Sequence, residues 1–76
     1  MRKPDIKKNR DKREWMHWID TASHEDLCYL ARFASVGNIV FMDRELYRYF
    51  REKYTMLGGM TPEMSNIIDE IHEQGG

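Results

Sequence analysis

Apolar residues recur at helical spacing in four stretches of the chain. In the first stretch, Trp15, Trp18, Ile19 and Ala22 follow the i, i+3, i+4, i+7 pattern of a helix with one buried side. The fourth stretch repeats the pattern with Met64, Ile67, Ile68 and Ile71. Together the stretches predict four helices, which span residues 10–22, 24–36, 43–57 and 62–73.

The two middle helices differ in how their apolar residues are distributed. The second helix has one apolar side with Leu27, Leu30, Ala31 and Ala34, and a second apolar side with Tyr29, Phe33 and Val36. A helix that is apolar nearly all round is usually the central one. The third helix has a single apolar side, formed by Tyr47, Phe50, Tyr54 and Leu57. We therefore expect the second helix to lie at the centre of the fold.

Capping residues place the ends of these helices. Ser23 is a good N-cap for the second helix, and Gly37 followed by Asn38 suits its C-terminus, because both tolerate left-handed backbone. The pair 58–59 is Gly-Gly and ends the third helix, while Thr61-Pro62-Glu63 is a strong helix start. Residues 39–42 are four apolar residues in a row, which fit a short strand, a buried linker or a helical turn capped by Asn38. Linker or helix is favoured, because no second strand exists to pair with this one.

These elements predict an all-α fold, a small bundle of about four short helices in one domain over residues 10–74. A chain of 76 residues is too short for more than one domain. Residues 1–9 contain Pro4 and show no apolar periodicity, so we expect a flexible basic N-terminal arm. Seven basic and two acidic residues lie in the first thirteen, and the remainder of the chain is acidic. Such charge asymmetry concerns partners rather than fold.

Composition narrows the location and the class of protein. The single cysteine excludes an internal disulfide, which small secreted domains usually need. No run of eighteen apolar residues exists, and the basic start lacks the apolar segment of a signal peptide. We expect a cytoplasmic protein without a membrane segment. So short a chain also has little room for a deep catalytic cleft, so we expect no enzymatic activity.

A surplus of interface-type residues indicates protein binding. Trp, Tyr, Met and Arg dominate interface hot spots, and this chain has two Trp, four Tyr and six Met. We expect a small regulatory or adaptor protein that binds a larger protein, or a second copy of itself as a homodimer. The candidate protein-binding residues are Tyr47, Arg48, Tyr49, Arg51 and Tyr29. A small core padded with aromatic residues and adaptable Met is the competing explanation.

Nucleic-acid binding is the alternative function. Arg44, Arg48 and Arg51 share one side of the third helix by their i, i+4, i+7 spacing, and Arg forks suit phosphate. The sequence pI of about 6.3 is low for such a domain. The candidate residues are Lys7, Lys8, Arg10, Lys12, Arg13, Arg44, Arg48 and Arg51.

Three histidine-containing patterns invite a metal or catalytic interpretation, which we reject. Glu14-x-x-His17 and Asp69-x-x-His72 supply half of a di-iron pattern, and no inward-facing Glu residues are placed to complete it. His24 and Cys28 lie four residues apart, but two ligands do not make a structural zinc site. We expect Cys28 in the core and His24 on the surface, and we expect no cofactor and no metal.

Overall fold

A computed structural model describes residues 4–35 and 37–75. All the regular secondary structure of these residues is helical. Helix accounts for 71% of the chain, and the described residues form no strand. The helices are α1 (Lys12–Thr21), α2 (His24–Phe33), α3 (Ile39–Met42), α4 (Arg44–Met56) and α5 (Pro62–Gly75). Four of them are longer than a single turn, which confirms the prediction of a small all-α bundle. None of these helices combines the length and the apolar composition needed to cross a membrane.

The N-termini of α1 and α2 are held by side-chain caps. The Asp11 carboxylate accepts a hydrogen bond from the Glu14 backbone N–H (2.8 Å), and the Glu14 carboxylate accepts one from the Asp11 N–H (3.4 Å). This capping box starts α1 at Lys12, two residues later than predicted. Ser23 accepts from the Asp26 N–H (3.2 Å), as the sequence predicted for α2.

The predicted end of α2 at residue 36 is wrong. The helix stops at Phe33, because Ala34 adopts extended backbone with ψ 144°. Gly37 has φ +93°, but it lies in a later turn in which the Asn38 N–H donates to the Ser35 carbonyl (3.0 Å). The left-handed glycine therefore serves the turn that leads to α3, and Val36 lies outside the described residues.

Residues 39–42 form one helical turn, which settles the three alternatives for this stretch. The Asn38 side chain accepts from the Val40 N–H (2.9 Å) and begins the turn. Asp43 then interrupts the helix with extended backbone, and its carboxylate accepts from the N–H groups of Glu45 (3.0 Å) and Leu46 (3.1 Å). Asp43 is thus the N-cap of α4, and α3 is a separate element.

The turn between α4 and α5 follows the predicted signals. Gly58 and Gly59 both have positive φ, and the Gly59 N–H donates to the Tyr54 carbonyl (2.9 Å). This hydrogen bond is the signature of a glycine-terminated helix. The Thr61 hydroxyl accepts from the Met64 N–H (3.1 Å), so α5 begins at Pro62 as predicted.

The core lies between all five helices. α4 packs against α1, α2 and α3, whereas α5 packs mainly against α2. The hub is therefore α4 rather than the second helix, although α2 buries four consecutive residues. The buried residues are Ile6, Trp15, Ile19, Leu27, Cys28, Tyr29, Leu30, Val40, Leu46, Phe50, Ile68 and Ile71.

The predicted apolar side of α4 is wrong by a small rotation. Leu46 and Phe50 are buried, whereas Tyr47 and Leu57 are exposed. α3 and α1 both pack on α4, and they cover the side centred on Leu46. In α2, Ala31 is also exposed rather than buried.

The N-terminal arm contacts the core through one side chain. Ile6 is only 6% exposed and joins the core cluster. The Asp5 carboxylate accepts from the Lys8 N–H (3.1 Å) and closes a local turn around Ile6. The arm thus has an apolar anchor that the search for periodicity missed, because a single apolar residue has no period. Residues 1–3 lie outside the described part of the chain.

Candidate functional site

Large apolar side chains reach the surface at both ends of α4. One group lies on α3 and the first turns of α4, where Met42 is 73% exposed. The other group follows the end of α4, where Met56 is 75% exposed. Among the described residues, the large apolar side chains that are exposed are Ile39, Met42, Tyr47, Met56, Leu57 and Met60.

The first group adjoins a row of arginines. The Tyr47 ring, 41% exposed, has its centroid 6.0 Å from that of Phe41, which also contacts the buried Phe50 (5.6 Å). The Arg51 guanidinium lies 6.0 Å from the Tyr47 centroid. Tyr47 is therefore supported by packed rings beneath and flanked by a cation. We define the α3–α4 surface as Ile39, Met42, Arg44, Tyr47, Arg48 and Arg51.

The three arginines of this surface point to solvent. Arg44, Arg48 and Arg51 are exposed, on the side of α4 opposite Leu46 and Phe50. Within residues 4–35 and 37–75, none of the three forms an ion pair with a carboxylate. The row thus presents positive charge that no carboxylate of the described residues neutralises by direct contact.

Other basic residues of the chain do have partners. Lys12 lies 3.5 Å from carboxylate oxygens of both Asp43 and Glu45. Arg32 pairs with Asp69 (3.5 Å). Among the described residues, the arginines of α4 share their lack of an ion pair with the exposed basic residues of the N-terminal arm, and they differ from these in lying in a row on one helix.

The N-terminal basic residues approach the same end of the molecule. The ion pairs of Lys12 join the start of α1 to the start of α4. However, the Arg10 guanidinium lies over the rings of Trp15 (4.7 Å) and Trp18 (5.7 Å). Of the predicted nucleic-acid-binding residues outside α4, Lys7, Lys8 and Arg13 are exposed, whereas Arg10 and Lys12 are half-buried.

Two tyrosines predicted to bind a partner have structural contacts instead. Tyr29 is 1% exposed, so its assignment to the surface is wrong, and its hydroxyl shares a hydrogen bond with Nδ1 of His72 (3.0 Å). The Tyr49 hydroxyl donates to the Asp20 carboxylate (2.7 Å) and joins α4 to α1. This hydrogen bond, with some loss of solvation, raises the pKa of Tyr49. The α3–α4 surface therefore contains Tyr47, Arg48 and Arg51 of the predicted set.

The histidine and cysteine on α2 form a link to the next turn. Nε2 of His24 donates to the Gly59 carbonyl (2.7 Å), and the Cys28 thiol donates to the same oxygen (3.5 Å). Burial, with a smaller effect of Glu25, raises the pKa of Cys28, which disfavours the reactive thiolate. His24 is half-buried rather than on the surface, and His17 is exposed. In the described part of the chain, no three His, Cys, Asp or Glu residues could together hold a metal ion.

A cleft of about 300 Å³ lies beneath the N-terminal arm, and its lining is Pro4, Asp5, Ile6, Lys7, Tyr29, Phe33 and His72. The His72 ring stacks on Phe33 with a centroid distance of 4.1 Å. Asp5 bonds to the Lys8 backbone and His72 bonds to Tyr29, so these groups serve local structure.

Two residues of the α3–α4 surface were missed from sequence. Ile39 and Met42 belong to an apolar run that was interpreted as a buried linker or helix. A single helical turn can bury only one side, here Val40, so the residues at its two ends stay exposed. The cap signals of Asn38 and Asp43 on either side of the run could have shown this.

Comparison with known protein families, curated proteins and solved structures found no match to this chain. A function must therefore be inferred from the chemistry of the surface itself.

Proposed function

We propose that this chain is a small, non-enzymatic regulatory or adaptor protein that binds a larger protein through the α3–α4 surface. One observation carries the proposal: exposed Tyr47 lies beside arginines that have no ion pair among the described residues, and exposed Met42 ends the preceding helix α3. Met, Tyr and Arg are enriched in protein interfaces, and Tyr and Arg are enriched among their hot spots.

The apolar part of this surface offers useful binding energy. Burying a fully exposed large apolar side chain contributes ~1.5–3 kcal/mol. For Met42 at 73% exposure and Tyr47 at 41% exposure, burial in an interface would contribute on the order of 3 kcal/mol. That energy corresponds to about a hundredfold in affinity.

The surface is also held in place before any partner arrives. Asn38 and Asp43 cap α3 and α4, and Phe41 packs between Tyr47 and Phe50. Preorganised side chains lose less conformational entropy on binding. The mechanism would be occupancy, in which the docked chain covers or bridges a patch of the partner while the charges steer the encounter.

Affinity capture with matched variants tests this proposal. Tagged wild-type protein, Met42→Ser and Met56→Ser are incubated with lysate of the source cells, and retained proteins are quantified by mass spectrometry. Met56→Ser is the control, because Met56 is as exposed as Met42 but lies at the other end of α4. We expect a set of proteins retained by wild type and Met56→Ser and lost with Met42→Ser. Equal retention by all three, at unchanged melting temperature, would contradict the proposal.

Nucleic-acid binding remains the second candidate, supported by the contact of Lys12 with the start of α4. This contact brings the basic start of α1 close to the arginine row. Because Ile6 is in the core, substitution of Lys7 and Lys8 by Gln is a cleaner test than deletion of the arm. Binding in a gel-shift assay should weaken with these substitutions and fall steeply with salt. Absence of any shift at low salt would exclude this candidate.

We also propose a cytoplasmic location. The support is compositional, since a chain with one cysteine lacks the disulfides that stabilise most small secreted domains.

A further inference from the structure

We infer that the segment docking on the α3–α4 surface is an acidic amphipathic helix of the partner, with carboxylates repeated at helical spacing. This inference rests on the proposed function and specifies the chemistry of the partner. The observations that carry it are the spacing of the arginine row, its borders and the apolar residues beside it.

The spacing of the arginines matches a second helix. Arg44, Arg48 and Arg51 lie on one side of α4 over seven residues, which is about 10 Å at the helical rise of ~1.5 Å per residue. Carboxylates at positions i, i+3 and i+7 of an antiparallel helix would fall along the same length. Each arginine could then donate hydrogen bonds to one carboxylate without bending either helix.

The two borders of the row differ in charge. Glu45 and Glu52 each follow an arginine by one residue and are exposed, so they border the row on one side. Tyr47 borders the row on the other side, where its ring contacts Phe41, the neighbour of exposed Met42 in α3. The partner's carboxylates are thereby confined to a narrow line, and its apolar residues would face Tyr47 and Met42.

This asymmetry favours a helix over a nucleic acid. A nucleic-acid backbone is a broad polyanion. Glu45 is offset by Lys12, but Glu52 has no ion pair among the described residues and would repel such a backbone, since like charges in juxtaposition oppose binding. Its phosphates also supply no apolar group to cover Met42. An acidic helix with an adjacent apolar side supplies both requirements at once.

A synthetic peptide serves as the probe. The peptide is an 18-residue fluorescein-labelled helix with Glu at i, i+3 and i+7 and Leu on one adjacent side, and its control carries Gln in place of Glu. Exposed charge pairs contribute about 0.2–1 kcal/mol each. Across three pairs, we expect the Glu peptide to bind about tenfold more tightly than the Gln peptide in fluorescence anisotropy at low salt.

Variants assign the effect to the arginine row. The triple variant of Arg44, Arg48 and Arg51 to Gln should lose the preference for the Glu peptide and keep its melting temperature. The charge-matched control, in which Lys7, Lys8 and Arg13 become Gln, should keep the preference. Equal affinity for the two peptides, or equal loss in both triple variants, would overturn the inference.

The remaining outcomes separate this inference from the proposed function. If the arginine triple variant still captures the same lysate proteins that Met42→Ser loses, the protein-binding function stands and the acidic helix is wrong. Self-association is measured by sedimentation of the protein alone. If wild type self-associates and the arginine triple variant does not, the segment that docks on the α3–α4 surface belongs to a second copy of the chain, whose α5 has Glu63 and Glu73 exposed. Tighter binding of an RNA oligonucleotide than of the peptide would also overturn the inference.

Discussion

Ile6→Ala tests whether the N-terminal arm belongs to the folded unit. The substitution removes three carbon atoms from a side chain that is 6% exposed. At ~0.8 kcal/mol for each buried carbon, the loss is about 2 kcal/mol. We expect only a small additional cavity term, because Ile6 borders two clefts of about 300 Å³ and 510 Å³ that are open to solvent.

A loss of this size is readily measured in so small a protein. A change of 1 kcal/mol moves the melting temperature of a 60–100-residue domain by roughly 4–8 °C. Ile6→Ala should therefore melt about 8–16 °C below wild type. Urea unfolding followed by tryptophan fluorescence gives the free energy directly, with Lys8→Ala as an exposed control on the same arm.

A stability of Ile6→Ala within about 0.5 kcal/mol of wild type, the range of neutral surface substitutions, would contradict the assignment of the arm to the folded unit. That result would mean that residues 1–9 are a free arm. An equal loss in Asp5→Ala, which removes the acceptor of the Lys8 N–H, would instead mean that the local turn, rather than burial of Ile6, stabilises the protein.

Three further predictions concern single residues. Gly58→Ala and Gly37→Ala should each destabilise by about 1–2 kcal/mol in urea unfolding, because both glycines have positive φ, where a Cβ is strained. Tyr29→Phe should lower the free energy of unfolding by about 1 kcal/mol at neutral pH, because it removes the hydrogen bond between the Tyr29 hydroxyl and His72. Burial raises the pKa of Tyr29. The folded state therefore favours the neutral phenol. This preference contributes fully to the free energy of unfolding below the unfolded pKa of about 10 and is lost as pH rises through the raised pKa of the folded state. Between about pH 9 and 11, stability should therefore fall less in Tyr29→Phe than in wild type. Hydrogen bonds from backbone N–H groups lower the pKa of Asp43 in the folded state. The ionised Asp43 carboxylate therefore contributes fully to the free energy of unfolding above about pH 4, and this contribution is lost as pH falls through the lowered pKa. Asp43→Asn should therefore flatten the acid side of the stability profile, and an unchanged acid slope would contradict this.

Helix starts and stops were predictable where the chemistry is local. The Thr61 cap and the Gly58–Gly59 stop act through hydrogen bonds that span a few residues of sequence. The end of α2 was missed because the left-handed glycine at 37 serves a turn, and the helix had already ended at Ala34. From the sequence alone, a glycine near a helix end fits both a helix C-cap and a separate turn.

The buried side of α4 could not be read from α4 alone. The series that begins at Tyr47 and the series that begins at Leu46 both include Phe50 and both fit helical spacing. The choice between them is made by α1 and α3, including the bond from Tyr49 to Asp20, which is 29 residues away. Long-range packing of this kind leaves no periodic trace in the sequence.

The sequence predicted the arginines of the α3–α4 surface better than it predicted the apolar residues beside them. Spacing placed the arginines on one side of α4, and they are exposed there. Tyr29 was assigned to the surface because α2 has more apolar residues than one side needs, yet α4 and α5 pack against two of its sides. Met42 was assigned to a buried linker or helix, because the break at Asp43 that exposes it depends on a cap.

The most direct test of the docking surface is a methyl NMR spectrum of protein labelled with ¹³C at its methionine methyl groups. Titration with a captured partner should shift or broaden the signal of Met42 and leave that of Met56 unchanged, since the two are equally exposed but lie at opposite ends of α4. A response at Met56 with none at Met42 would contradict the assignment of function to the α3–α4 surface.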